Sequence, residues 1–109
     1  MNYAEMSDFE INRKVLAIAS GAKPLGYAHN ADKRSAGVVK SNQYHWYDYC
    51  NSWADAGPII EKENISLTCH QSRDEWAAIF NRHCMSANQN PLRAAMECFL
   101  MKKERENAP

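Results

Sequence analysis

The sequence predicts an α+β fold: a small, mostly antiparallel sheet packed with about three helices. Three observations carry this. A capped amphipathic stretch occupies residues 7–20, and a second one follows Asn90-Pro91. Between them, Asn64-Ile65-Ser66-Leu67-Thr68-Cys69 alternates with the period of a half-buried strand. At 109 residues, 45% apolar and 24% charged, the chain makes one domain, 1–109. A domain of this size buries roughly two thirds of its unfolded surface and needs no metal or disulfide staple.

The first helix is specified from both ends. Ser7 with Glu10 three residues on reads as a capping box, and Met6 with Ile11 as its hydrophobic staple. Ile11, Val15 and Ile18 recur at i, i+4 and i+7, which predicts one buried face. Gly21 suits the left-handed residue that closes a helix, with Pro24 beyond it. Residues 22–46 are the least patterned. Gly26, His29-Asn30 and 32–35 read as loop, and Gly37-Val38-Val39-Lys40 as a possible short strand. A second helix starts near Asn51 or Ser52 and runs to about Glu63. Pro58 fits its first turn if Asp55 is the N-cap, and otherwise kinks it.

Residues 64–69 form a strand whose alternation sends Ile65, Leu67 and Cys69 inward and His70 outward. A turn at 70–73 leads to an antiparallel strand over 76–80, with a helix from Asp74 as the alternative. Residues 81–89 read as loop. Asn90 as N-cap and Pro91 at the first helical position then start the last helix, whose Leu92, Ala95, Met96 and Phe99 form a stripe facing the sheet. Lys102 and Lys103 suit the negative end of its dipole, and residues 105–109 fray.

The formal net charge is zero, which gives no bulk attraction to nucleic acid or to an anionic membrane. Four cysteines occur without a Cys-x-x-Cys pair. The N-terminus shows no signal peptide, and no apolar run approaches the roughly 18 residues of a membrane span. The expectation is a cytoplasmic protein with free thiols.

Three segments share a pattern. They are Ser7-Asp8-Phe9-Glu10-Ile11-Asn12, the stretch Asp48-Tyr49-Cys50-Asn51 running on to Ala54-Asp55-Ala56 and Pro58-Ile59-Ile60, and Asn90-Pro91-Leu92-Arg93-Ala94-Ala95-Met96. Together they resemble the NinX-like family of small lambdoid phage and prophage proteins and, more distantly, the phage alpha-beta-alpha sandwich domain. The resemblance implies a phage-encoded accessory protein in the cytoplasm of the bacterial host. It carries over no catalytic residue and no cofactor. Residues 22–43 lie outside it and look like a loop insertion of variable length. Gly57 departs from the family, where a large apolar residue is expected.

No motif specifies a reaction. Cys69-His70, His83-Cys84, Cys50 and His45 lack zinc-ligand spacing, so no metal is expected. Cys50 before a helix start, with His45 nearby, lacks an oxyanion-hole signature. What stands out is five rings within ten residues: Tyr44, Trp46, Tyr47, Tyr49 and Trp53. Neighbours on an extended segment point to opposite sides, so if Trp46 points inward, His45 and Tyr47 point outward. The expected binding surface is therefore Tyr47, Asp48 and Asn51, with His45 and Asp55, at the start of the second helix. Its expected partner is an unidentified host or phage protein, without catalysis, since Tyr and Trp are favoured interface anchors. The alternative is a small ligand or nucleotide held at the helix N-terminus. A weaker one is single-stranded nucleic acid, stacked on Tyr27, Tyr44, Trp46 and Tyr47 beside Lys23, Lys33, Arg34 and Lys40.

Overall fold

The computed structural model describes residues 2–28 and 31–108; the expected turn at His29-Asn30 lies outside the described residues. After a 3-10 turn at Tyr3–Glu5 come α1 (Asp8–Ser20), β1 (Ala36–Lys40), β2 (Gln43–Tyr47) and α2 (Trp53–Lys62). Then follow β3 (Ser66–His70), a 3-10 turn at Gln71–Arg73, β4 (Glu75–Asn81), β5 (Cys84–Asn88) and α3 (Pro91–Glu106). The fold is a small α+β one, as expected, with its antiparallel strands divided into a β1-β2 hairpin and a β3-β4-β5 sheet. The central helix is α3. It packs on β4 and β5 on one side and on α1 and α2 on the other, and α1 carries β1.

Local chemistry explains the helix ends. Ser7 Oγ accepts the Glu10 N–H at 3.1 Å, and Gly21 closes α1 at φ 70°. In α2 the cap is Ser52, whose Oγ accepts the Asp55 N–H at 3.3 Å. Pro58 therefore lies inside the helix, not in its first turn, and removes one ladder donor. Gly57 has open space where a side chain would begin, so its departure from the family pattern leaves the helix undistorted. Asn64 ends α2 in the left-handed region at φ 58°. There the Ile65 N–H reaches Ile60 O at 3.1 Å and the Asn64 N–H reaches Glu61 O at 3.3 Å, the Schellman pattern.

Two strands were not legible as such. β2 pairs with β1 through a two-residue turn, with Ser41 at φ 51° and Asn42 at φ 63°, the left-handed pair that a tight hairpin needs. The stretch 36–43, expected mostly as loop, is thus hairpin. The second, β5, lies in the stretch expected as loop, and its alternation is inverted. Ser86 lies on the side of buried Ala78 and α3, while Met85 faces out, half exposed. The inward serine answers a buried carboxylate: Ser86 Oγ donates to Glu97 Oε1 at 2.5 Å.

Four further expectations change. Ile18 is 44% exposed, since the buried face of α1 is Ile11, Asn12, Val15 and Leu16. Ile18 falls within about 20° of Ile11 around the axis, but the core lies on the Asn12 side. Cys69 is exposed although its parity matches Trp76, because α3 covers β4 and β5 and leaves β3, an edge strand, largely outside its cover. Arg105 and Glu106 are still helical. Finally, Phe99 is buried but lines a hollow beside Ile18, Pro58 and Ile59, on the helical side of α3. Met96, three residues earlier, shares that side. The sheet is met instead by Glu97 and by Cys98, whose thiol donates to Cys84 O at 3.2 Å. Residues 92–100 are buried all round, so a stripe within them could not reveal which layer it faced.

Phe99→Ala should cost about 3–5 kcal/mol, as for a fully buried ring. A denaturant midpoint equal to that of the parent chain would contradict this packing.

Candidate functional site

The connection from β2 to α2 is a turn in which Asp48 O accepts the N–H groups of Asn51 at 3.1 Å and Ser52 at 2.8 Å. This turn drops the Asp48 side chain into the protein, where it is buried. Its Oδ1 accepts from Asn12 Nδ2 at 2.8 Å and Asn51 Nδ2 at 3.0 Å, and its Oδ2 from Arg34 Nε at 3.1 Å. The Asp48 N–H donates to Asp55 Oδ2 at 3.0 Å. Asn12, fully buried on α1, turns its other amide atom to the Cys50 N–H at 3.0 Å.

The network continues to α3. Asn51 Nδ2 also donates to Asp8 Oδ2 at 3.0 Å, and Asn90 Nδ2 donates to Cys50 O at 2.7 Å. Asp8 Oδ1 accepts from Arg93 Nη1 at 2.6 Å. Arg93, buried in α3, further donates to Glu97 Oε2 at 2.7 Å, Tyr3 O at 2.9 Å and Met6 O at 2.6 Å. Among the described residues no buried side-chain nitrogen or oxygen lacks a partner. Asp8, Asn12, Asp48, Asn51, Asp55, Asn90 and Arg93 all come from the three segments that carry the family resemblance.

Of the expected binding residues, Asp48, Asn51 and Asp55 are brought together, but Asp48, Asn51 and one Asp55 oxygen are engaged in this network. Asn51 is exposed and Asp55 half-buried. Tyr47 and His45 are half-buried and share one face of the hairpin with Ala36 and Val38. Tyr47 stacks on buried Tyr49 at 5.6 Å and 7°. Burial raises the Tyr49 hydroxyl, helped by Tyr47 and Asp55. Burial likewise pushes the Cys50 thiol far up, with the Asp8 charge adding to it, which disfavours the thiolate despite its place before a helix.

The opposite hairpin face carries Gly37, Val39, Tyr44 and Trp46. Trp46 lies across Gly37 so closely that a Cβ there would sit 2.4 Å from its ring. Tyr44 stacks on Trp46 at 6.1 Å and 11°, and Tyr27 tilts against it at 6.2 Å and 57°. Tyr44 is 62% exposed, Tyr27 54% and Val39 50%. The ring cluster thus divides: one face seals the core and the other forms an outward aromatic platform. The sequence named these rings, but Val39 joins them only once the hairpin register is known. Asn12 and Arg93 were missed as hub residues. Neither lies on the apolar stripe that the sequence shows for its helix, Ile11, Val15 and Ile18 in one and Leu92, Ala95, Met96 and Phe99 in the other, so no local signal marked them.

Asp32 organises the approach to the network. It accepts the N–H groups of Arg34 at 2.8 Å and Ser35 at 2.9 Å, and the Ser35 hydroxyl at 2.6 Å. Desolvation raises its pKa, but these bonds, led by Ser35, outweigh it and hold Asp32 at about 2 against an ordinary 3.8. A depressed carboxylate stabilises above its unfolded value, and that contribution fades as pH falls from 3.8 towards 2. Asp32→Asn should therefore flatten that acid limb in pH-dependent unfolding. An unchanged limb would remove Asp32 from the account.

Asp48→Ala should cost about 3 kcal/mol, because it strands the buried Asn12 amide and frees Arg34. Equilibrium denaturation reads this directly, and a loss below about 0.5 kcal/mol would mark an ordinary surface position.

No helix among the described residues is long and apolar enough to cross a membrane. No curated protein matches the chain. A family model described as Bacteriophage P22, NinX matches residues 2–103, a span that takes in the whole polar network and both faces of the hairpin. The chain belongs to this NinX family of bacteriophage proteins.

Proposed function

We propose that this phage accessory protein works in the cytoplasm of the bacterial host by binding a host or phage protein, without catalysis, through the outer face of the β1-β2 hairpin. The observation that carries this reading is the platform of Tyr27, Val39, Tyr44 and Trp46, three of them half exposed or more. Large rings held in place by neighbours lose little entropy on binding and make efficient anchors. Here Gly37 seats Trp46 and Trp46 seats both tyrosines. The absence of catalysis in this reading is supported by the carboxylates of the turn after the hairpin, Asp48 and Asp55, which make amide and backbone bonds. Tyr47 and His45 lie on the other hairpin face, outside the proposed surface, and Asn51 serves the network.

The test compares the parent chain with a Tyr27→Ala/Tyr44→Ala variant as bait in lysate of phage-infected cells. The variant should lose a specific partner, with affinity down by about 30-fold, the equivalent of a 2 kcal/mol hot spot. Retention of every partner at parental affinity would overturn the reading. Saturable binding of a short single-stranded oligonucleotide on the same rings would favour nucleic acid instead.

A further inference from the structure

Ile18 is a large aliphatic side chain left 44% exposed on a helix whose neighbours at Val15 and Leu16 are buried. It stands between two adjoining hollows, of about 440 and 260 Å³, that share Ile18 and Lys103. The first runs between α1 and α3, over Ala17 and Leu100. The second runs between α1, α2 and α3, over Ile59 and Phe99. The result is an apolar groove across three helices, on a surface separate from the hairpin platform.

The rim of this groove is positively charged. It carries Lys14 at one end, Lys62 at the other and Lys103 in the middle. The two carboxylates that line it are already engaged. Glu63 accepts from Lys102 at 2.8 Å and lies 3.2 Å from Lys103, and Glu104 takes the Tyr3 hydroxyl. Lys14 and Lys62 have no ion pair among the described residues, and neither is cancelled within the groove.

We propose that this groove is a docking site for an amphipathic helix with an acidic flank, contributed by a partner protein. Apolar side chains one or two turns apart on such a helix would fill the hollows on either side of Ile18, the helix-in-groove mode. Its carboxylates would meet Lys14 and Lys62. A basic helix would meet like charge at both ends, so the rim sets the sign of the partner. The inference is independent of the hairpin reading, since no residue is common to the two surfaces.

The test titrates the isotope-labelled full chain with a synthetic amphipathic peptide of about 16 residues, four helical turns, with leucines on one face and glutamates flanking them. A counterpart with lysines in place of the glutamates is the control. Saturable amide shifts should map to residues 17–19, 59–63 and 99–104, and the lysine peptide should bind at least about tenfold more weakly. Ile18→Asn should lower affinity about tenfold, Lys14→Glu/Lys62→Glu should do the same without touching any apolar contact, and Tyr44→Ala should change nothing. If Ile18→Asn alters the fold, the lysine variant still decides. Four results would overturn the proposal: no saturable shift, shifts confined to other surfaces, equal affinity for the two peptides, or a concentration-dependent dimer that fills the groove and that Ile18→Asn dissolves. Failure here leaves the hairpin bait experiment unaffected, and the reverse holds too.

Discussion

A buried arginine holds this fold together. Arg93 sits in the first turn of a helix that is otherwise enclosed by apolar layers, and its guanidinium touches every part of the N-terminal region at once: Asp8, the carbonyls of Tyr3 and Met6, and Glu97 of its own helix. A charge in such a place is tolerable only if nearly all its donors are used. That requirement fixes where α1 begins relative to α3. It also explains the serine on the inward side of β5, since Glu97 needs a second partner once it has neutralised Arg93.

From Asp8 the constraint passes to the hairpin. Asn51 spans Asp8 and Asp48, Asn12 spans Asp48 and the Cys50 backbone, and Asn90 ties the same turn to the start of α3. Segments far apart in the chain are thereby locked into one arrangement. The polar residues around the turn are consumed in the process. What the lock leaves outside is the far face of the hairpin, where Trp46 lies over Gly37 and two tyrosines pack on Trp46. The core-sealing side chains and the exposed rings therefore lie on opposite faces of the same two strands.

Much of the fold was legible in the sequence. Ser7, Gly21, Asn90 and Pro91 mark helix ends by chemistry that acts within a turn, and the alternation at 64–69 marks a strand, so α1, α3, β3 and β4 could be read locally. β2 and β5 could not. The turn that makes β2 uses Ser41-Asn42 without glycine, and β5 hides a serine where an apolar residue belongs, for the sake of Glu97 on another element. The ring cluster was visible, but its division into two faces depends on the β1-β2 register, which pairs Trp46 with Gly37 and Tyr44 with Val39. Ile18 and Cys69 mislead for a related reason: periodicity shows which side chains share a face, and only tertiary packing decides where cover ends.

The central claim is that the Arg93–Asp8 contact couples α1 to α3 and, through Asn51, to the hairpin. A double-mutant cycle on unfolding free energy tests it: Asp8→Ala, Arg93→Ala and the pair together. Coupling of at least about 1 kcal/mol is predicted, because each single variant leaves a buried or half-buried charge without its partner. Additivity within about 0.3 kcal/mol would show that the two side chains act independently and would contradict the account.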